Sequence, residues 1–234
     1  MISKTANIAK TAIIHDGVTI EDDVIIHDYV VIYPGVTIGK GTEIFDHCVI
    51  GKFPTSPGST ARPLKDDYSP VVIKNNCVLC PGVVVYIGTK IGEHTLLGDF
   101  CSIREDCEVG DYCIISRNVS VNYETKIGHH TKIMDNTHIT GNMTIGNHVF
   151  ISVLVSSTND NAMGRDGYSS EEVQGSVIED YVTIGAGANI LPKVRIGRNS
   201  IIGASALVTK DVEPDSVMMG IPARFVRRVE DSKE

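Results

Sequence analysis

Large aliphatic residues recur along this chain at every sixth position, a period that belongs to neither an α-helix nor an ordinary β-strand. The first run extends from Ile8 to Ile50, the second from Ile73 to Ile151 and the third from Ile178 to Val208. A second column, two positions earlier, holds small residues such as Thr42 and Cys48. Two inward positions in each hexad describe a short strand followed by a tight corner, and three such strands close a triangular coil.

The hexad pattern predicts an all-β fold, a parallel β-helix of about nine triangular coils stacked at about 4.8 Å per rung. The helix domain is predicted to span residues 1–212. Its register breaks near 51–70 and 152–176, and prolines and small polar residues there predict two loop insertions. Long excursions from a rigid scaffold are where binding residues tend to lie. Residues 213–234 leave the repeat and are predicted to form a short, partly helical C-terminal tail.

The composition is typical of a soluble globular protein, with 42% hydrophobic and 21% charged residues among 234. The net charge is −8 and no basic stripe is visible, which argues against a nucleic-acid partner. The first residues lack the apolar core of a signal peptide, and no apolar run approaches the roughly 20 residues that cross a bilayer. We therefore expect no membrane partner and a cytoplasmic location.

Cysteine and histidine raise the alternative of a disulfide or metal framework. Five of the six cysteines fall in the small inward column, which favours buried, reduced packing residues. Three histidines share one column, three residues after the inward aliphatic position. That position is a corner, which favours residues that tolerate positive φ. The three histidines are His94, His130 and His148, and Tyr112 interrupts their row. No metal site is therefore predicted.

Residues 18 apart stack on successive coils, and four such columns between Leu97 and Ile145 concentrate polar side chains. These columns are Asp99, Arg117 and Asp135; Glu105, Tyr123 and Gly141; Arg104, Asn122 and Thr140; and Ser120 with His138. The first column has alternating charges, so it is equally well explained as a stabilising ladder of ion pairs or as part of an active site. His138 lies within a strand rather than at a corner, so it is either a site residue or a satisfied strand histidine.

Repeats such as "IGKGTE", "IGEHTL" and "IGAGAN" resemble those of the hexapeptide-repeat acyltransferases. The resemblance implies a left-handed parallel β-helix, assembly as a homotrimer with sites between subunits, and acyl-CoA as co-substrate, most often acetyl-CoA. The segment "GIPARFVRR" resembles the one that follows the helix in acyl-CoA-dependent members. By that resemblance the acyl-CoA would be held by Gly185, Ala186, Gly203, Ala204, Lys210 and Arg224.

The longer stretch from "GDFCSIRED" to "TND" resembles N-acyltransferases that modify nucleotide-linked aminodeoxy sugars for surface polysaccharides or other glycans. Transfer from a thioester to an amine needs a neutral amine, donors for the oxyanion and close positioning of the substrates. The candidates for proton acceptor or amine anchor are His138, Asp99 and Glu105. The candidate acceptor-binding residues are Arg104, Asn122, Tyr123, Asn136, Asn159 and Asp160.

Three other functions stay open at the level of sequence. An O-acetyltransferase acting on a sugar or serine would use the same helix. A metal hydratase like the γ-carbonic anhydrases would too, although their spacing of three histidines is not found. The third alternative is a structural subunit that catalyses no reaction. It stays open because a fold alone does not decide function.

Overall fold

The computed structural model describes residues 1–58, 62–165, 167, 169 and 172–229. Within these ranges the fold is the predicted all-β parallel β-helix, built from strands of mostly two residues. Each strand forms in-register hydrogen bonds with the strand one coil away, so that three parallel sheets form the sides of the solenoid. The described residues contain no helix, and therefore none that could cross a membrane.

The strands are numbered β1–β31 in chain order and alternate among the three sheets. The first sheet contains β1 Asn7–Ile8, β4 Ile25–Ile26, β7 Glu43–Ile44, β10 Val78–Leu79, β13 Leu96–Leu97, β16 Ile114–Ile115, β19 Lys132–Ile133, β22 Phe150–Ile151, β25 Thr183–Ile184, β28 Ile201–Ile202, β30 Ser216–Met219 and β31 Arg224–Arg228. The second contains β2 Ile13–Ile14, β5 Val31–Ile32, β8 Val49–Lys52, β11 Val84–Tyr86, β14 Ser102–Ile103, β17 Ser120–Val121, β20 His138–Ile139, β23 Ser156–Ser157, β26 Asn189–Ile190 and β29 Leu207–Val208. The third contains β3 Thr19–Ile20, β6 Thr37–Ile38, β9 Val72–Ile73, β12 Lys90–Ile91, β15 Glu108–Val109, β18 Lys126–Ile127, β21 Thr144–Ile145, β24 Val177–Ile178 and β27 Arg195–Ile196.

The two inward columns have different tasks. The aliphatic column fills the core, where side chains such as Ile38 and Ile44 are completely buried. The small column adds hydrogen bonds, because its side chains donate to carbonyl oxygens at the corner of the next coil. Thr95 Oγ1 donates to Gly110 O at 2.9 Å, and Cys113 Sγ donates to Gly128 O at 3.1 Å. Threonine and cysteine therefore suit this column because each is small and carries a donor.

All six cysteines are free thiols, and the five in the small column are buried, as the periodicity predicts. Burial raises the pKa of Cys77 to about 11, which keeps that thiol protonated and unreactive at neutral pH. The corner assignment of the histidine row is also confirmed. His94, Tyr112, His130 and His148 all have φ between 53° and 57°, and their rings stack with centroids 4.8–5.1 Å apart.

Two details of the prediction were wrong. The solenoid has about eleven turns rather than nine, because rungs without the aliphatic signature also pair. Ser157, for example, is 2% exposed and takes an inward aliphatic position in β23. The tail is not helical in its described part. β30 pairs parallel with β28, and the chain returns as β31 antiparallel to β30 after a turn at Gly220–Pro222.

Both predicted insertions leave the solenoid at the corner between the second and third sheets. The first connects β8 to β9, and the second connects β23 to β24. The second begins after Ser157 rather than at Ser152, because β23 continues the helix for one further rung. The two insertions consequently leave the same corner a few coils apart, with β11, β14, β17 and β20 between them in the second sheet.

Candidate functional site

The outer face of the second sheet changes character along the solenoid. Apolar side chains occupy its outward positions in the early coils, as at Val31, Val49 and Val84. From β14 onward the outward residues are mostly small or polar, and we call this stretch the polar face. Its outward residues are Ser102, Ser120, His138, Ser156, Asn189 and Leu207.

His138 lies in the middle of the polar face. Its neighbour Ile139 points inward and is buried, so the imidazole points outward. Nδ1 lies 2.7 Å from Ser120 Oγ, the residue directly opposite on β17. Partial burial lowers the pKa of His138 below its ordinary value of 6.5. The imidazole is therefore neutral at pH 7 and is able to accept a proton.

Glu105 is completely buried and holds two arginine side chains. Arg62, from the first insertion, forms an ion pair with Glu105 Oε1. Arg104 reaches both oxygens, with Nε 2.7 Å from Oε2 and Nη2 3.0 Å from Oε1. Burial opposes the charge on Arg104, but the hydrogen bond to Glu105 raises the pKa of its guanidinium. Both carboxylate oxygens are thus engaged, and the three charges together are net positive.

Tyr123 joins the two insertions. The guanidinium of Arg62 lies 3.7 Å from the centre of its ring, which is a close cation–π contact. The amide of Asn159, in the second insertion, lies 3.4 Å from the Tyr123 hydroxyl. Gly141 makes room for the ring, because a Cβ there would lie 2.6 Å from Tyr123 Cε2. The stacked column Glu105, Tyr123 and Gly141 thus forms one packed unit.

A pocket of about 430 Å³ opens between the insertions at this corner, which we call the pocket edge of the polar face. Its walls include Arg62, Tyr86, Arg104, Tyr123, Asn159 and Asp160. Lys52 Nζ and the Arg104 guanidinium lie 5.2 and 5.1 Å from the Tyr86 ring. A volume in the range of small-molecule sites, lined by aromatic rings and cations, suits an organic anion.

The first insertion is fastened to the pocket edge by a second ion pair. Lys65 Nζ lies 2.7 Å from both Asp106 Oδ2 and Glu124 Oε1, and these bonds raise the pKa of Lys65. The carboxylate of Asp160 serves the second insertion, since it accepts hydrogen bonds from the backbone N–H groups of Ala162 and Gly164 at 2.7 Å each. The pocket walls are therefore held in place from both sides.

Asp99 and Asn136 lie at the opposite corner, between the first and second sheets, which we call the far edge. Asp99 precedes β14 and Glu105 follows it, so the two carboxylates flank the polar face rather than meet. Among the described residues no side chain forms a hydrogen bond or ion pair with the Asp99 carboxylate. The third member of its column, Asp135, pairs with Arg117 at 2.6 Å, which is the charge ladder considered above.

Four of the residues expected to hold acyl-CoA lie together at the far edge. Gly185 and Ala186 stack one rung below Gly203 and Ala204, and a Cβ on Gly185 would lie 2.5 Å from Ala204 N. Lys210 and Arg224 lie elsewhere, at the end of the pocket edge, where they line a cleft of about 190 Å³. The six residues thus surround the C-terminal part of the polar face.

Tyr86, Arg62 and Ser120 lie outside the predicted set of site residues. Tyr86 is 18 residues before Arg104, so extending the column by one coil would have found it. Asn122, which belongs to the predicted acceptor-binding set, continues the same column and is half-buried. Arg62 has no periodic signal, because an insertion does not follow the repeat. Ser120 was recognised only as the neighbour of His138 in a column. No group of three metal-binding side chains occurs in the described part of the chain.

Residues 17–52, 88–122 and 175–210 match the family model described as bacterial transferase hexapeptide (six repeats). Two curated proteins illustrate the relatives. A galactoside O-acetyltransferase of Lactococcus lactis is 51% identical over 55 residues, which are 24% of this chain and 27% of that protein. A 2,3,4,5-tetrahydropyridine-2,6-dicarboxylate N-acetyltransferase of Ligilactobacillus salivarius is 52% identical over 60 residues, or 24% and 26%. The chain thus spans about a quarter of the length of these relatives.

Solved structures resemble the chain over nearly its whole length. An Arabidopsis UDP-N-acetylglucosamine acyltransferase superposes with a TM-score of 0.69 and 19% identity, covering 98% of this chain and 74% of that one. A UDP-N-acetylglucosamine O-acyltransferase of Moraxella catarrhalis gives 0.57 and 21%, covering 98% and 75%. At these identities the similarity shows the fold alone.

Proposed function

We propose that this chain, which belongs to the bacterial transferase hexapeptide family, is an acyl-CoA-dependent N-acyltransferase. Its acceptor would be the amino group of an aminodeoxy sugar linked to a nucleoside diphosphate, and its usual donor acetyl-CoA. The cationic pocket between the insertions carries this proposal. It opens at one edge of the polar face, and His138 is the one titratable side chain among the outward residues of that face.

The pocket supports an acceptor that combines an anionic part with a flat or sugar-like part. Arg62 and Arg104 are both held by Glu105, so their orientation is set before any ligand arrives. Arg104 is one-third exposed at 34%, which leaves part of its guanidinium available to a phosphate. The two arginines share the single carboxylate of Glu105, so one positive charge is left to meet an anionic ligand.

The reaction needs one proton acceptor and one set of oxyanion donors. The amine nitrogen attacks the thioester carbonyl, the new C–N bond forms, and the C–S bond breaks to release coenzyme A as a thiolate that takes up a proton. His138 Nε2 would receive the proton that the amine loses. Asn122 and Asn136, on either side of the polar face, are our candidates for donors to the oxyanion, together with backbone N–H groups.

The carboxylates have separate roles in this scheme. Glu105 would anchor the two arginines rather than act as base, because both of its oxygens already accept charged donors. Asp99 lies across the polar face from the pocket, so we assign it to a site completed by a neighbouring subunit of a homotrimer. Gly185, Ala186, Gly203, Ala204, Lys210 and Arg224 would hold the acyl-CoA along the C-terminal half of the face.

A thiol-release assay tests the proposal directly. The purified chain is mixed with acetyl-CoA and a panel of nucleotide-linked sugars, in which each amino sugar is paired with its hydroxy counterpart. We expect release of coenzyme A only with an amino sugar, and loss of that activity when the nucleotide is removed from the acceptor. Turnover of hydroxy sugars alone would assign O-acyl transfer, and the absence of turnover with every acceptor would refute the proposal.

His138→Asn tests the base. Replacing an effective base typically costs about 10²–10⁴ in kcat. A smaller loss shared between kcat and KM would mean that the imidazole only orients the amine. Full kcat/KM in His138→Asn would identify a structural histidine, and the Asp99→Asn variant would then decide whether that carboxylate is the base.

A further inference from the structure

Ser120 and His138 form a hydrogen-bonded pair in the middle of the polar face. They face each other across the parallel ladder between β17 and β20, directly opposite in register. Their inward neighbours Val121 and Ile139 are buried, so both side chains must lie on the polar face one rung apart. The contact of 2.7 Å between Ser120 Oγ and His138 Nδ1 follows from this register.

The contact leaves the other ring nitrogen of His138 for a substrate. A neutral imidazole carries one N–H, and Nε2 can accept a proton only when that hydrogen is on Nδ1. Nδ1–H then needs an acceptor, and the atom within hydrogen-bond distance is Ser120 Oγ. Once Nε2 is protonated both nitrogens are donors, and the serine oxygen can continue to accept from Nδ1–H.

We propose that Ser120 is the positioning residue of His138: its oxygen accepts the Nδ1–H bond, directs Nε2 toward the acceptor amine and stabilises the imidazolium formed during acyl transfer. This inference rests on the proposed function. In the proton transfer, the N–H bond of the attacking amine breaks as a new N–H bond forms at Nε2. Ser120 exchanges no proton and forms no covalent bond.

In the part of the chain that the structure describes, the strands beside β20 bring no charged group that could orient His138 instead of Ser120. The strands packed against β20 are β17 and β23, and they present Ser120 and Ser156. The nearest acidic residue before it on its own coil, Asp135, is paired with Arg117. Burial alone accounts for the lowered pKa of His138, and no carboxylate raises it. A neutral oxygen behind Nδ1 keeps this base weak, which suits an amine that attacks an activated thioester.

Four variants separate positioning from packing. Ser120→Ala removes the acceptor, Ser120→Thr keeps a hydroxyl, and Ser120→Asp places a carboxylate behind the ring. Ser102→Ala is the matched control, because Ser102 is the next outward serine on the same face. We expect Ser120→Ala to lower kcat by about tenfold with little change in acceptor KM, and Ser120→Thr to restore most of it. Ser120→Asp should move the acidic limb of the pH–rate profile to higher pH.

A spectroscopic measurement decides the tautomer without any turnover. Long-range proton–nitrogen correlation spectra of ¹⁵N-histidine-labelled protein report which ring nitrogen is protonated, and the His138 signals are those missing from His138→Asn. We expect protonated Nδ1 in the wild type and a shift toward protonated Nε2 in Ser120→Ala. Protonated Nε2 in the wild type would overturn the inference even if acyl transfer is found.

The remaining outcomes are equally distinct. Full kcat in Ser120→Ala, or an equal loss in Ser102→Ala, contradicts a positioning role. An acyl group trapped on Ser120 and detected by mass spectrometry would make the serine a nucleophile and refute the inference. If no acceptor is turned over, the proposed function fails, while the spectra still decide whether Ser120 accepts from Nδ1–H.

Discussion

Glu105→Gln is the sharpest test of the arginine pair. The substitution keeps the shape of the side chain but removes the negative charge that holds Arg62 and Arg104. It also places an amide N–H₂ group where one of the guanidinium groups donates. Glu105 is fully buried, so water cannot replace the lost acceptor, and breaking one partner of a buried ion pair costs about 3–5 kcal/mol.

The exposure of the partners sets the expected magnitude within that range. The Arg62 side chain is only 13% exposed, so water cannot fully hydrate its charge once the carboxylate is gone. Arg104 is 34% exposed, and its guanidinium can be hydrated instead. We therefore expect a loss near the lower limit, about 3 kcal/mol of unfolding free energy. For a chain of this size, that corresponds to a fall of about 6–12 °C in Tm.

Glu108→Gln is the control, because Glu108 lies on the same coil, is 52% exposed and is 3.8 Å from Lys90. An exposed pair of this kind is worth about 0–1 kcal/mol. Thermal unfolding is followed by circular dichroism at one fixed protein concentration, and the KM for the acceptor is measured alongside. Glu105→Gln should also raise the acceptor KM by about tenfold or more, since Arg62 is no longer held at the pocket. Equal Tm values for the two variants would refute the conclusion that Glu105 holds Arg62 and Arg104 in place.

Three further results are expected. Lys210→Ala and Arg224→Ala should raise the KM for acyl-CoA more than that for the acceptor, whereas Lys193→Ala should change neither; a selective rise in acceptor KM would reverse the assignment. If light scattering shows a trimer, co-expression of the Asp99→Asn and His138→Asn chains should restore about a quarter of wild-type activity. In randomly mixed trimers, about one site in four then has an intact Asp99 from one subunit and an intact His138 from its neighbour. Zero recovery would put both residues in one subunit's site. Because burial lowers the pKa of His138, the unfolded chain binds its proton more readily, so this residue should cost stability as pH falls below about 6.5. His138→Gln should flatten that part of the stability–pH curve measured by urea unfolding.

Most of the fold could be predicted from the six-residue period of the sequence. A hexad is one side of a triangular coil, so the inward residues, the corners and the stacking of residues 18 apart all follow from counting. The positive φ of His130 and the burial of Cys113 were predictable in this way. Counting failed where a rung uses an unusual inward residue, as at Ser157, and in the tail, where β30 and β31 pair without following the hexad.

The sequence by itself determined which residues share a column, because covalent geometry and the hydrogen-bonded ladder leave little freedom in a repeating coil. It therefore placed Ser120 beside His138 and Tyr123 above Glu105. Counting also places Asp99 and Glu105 at successive corners on either side of β14. Only the tertiary structure decided that Arg62 returns from an insertion to pair with Glu105. The path of an insertion is set by long-range ion pairs and ring contacts, and these have no period that a sequence can display.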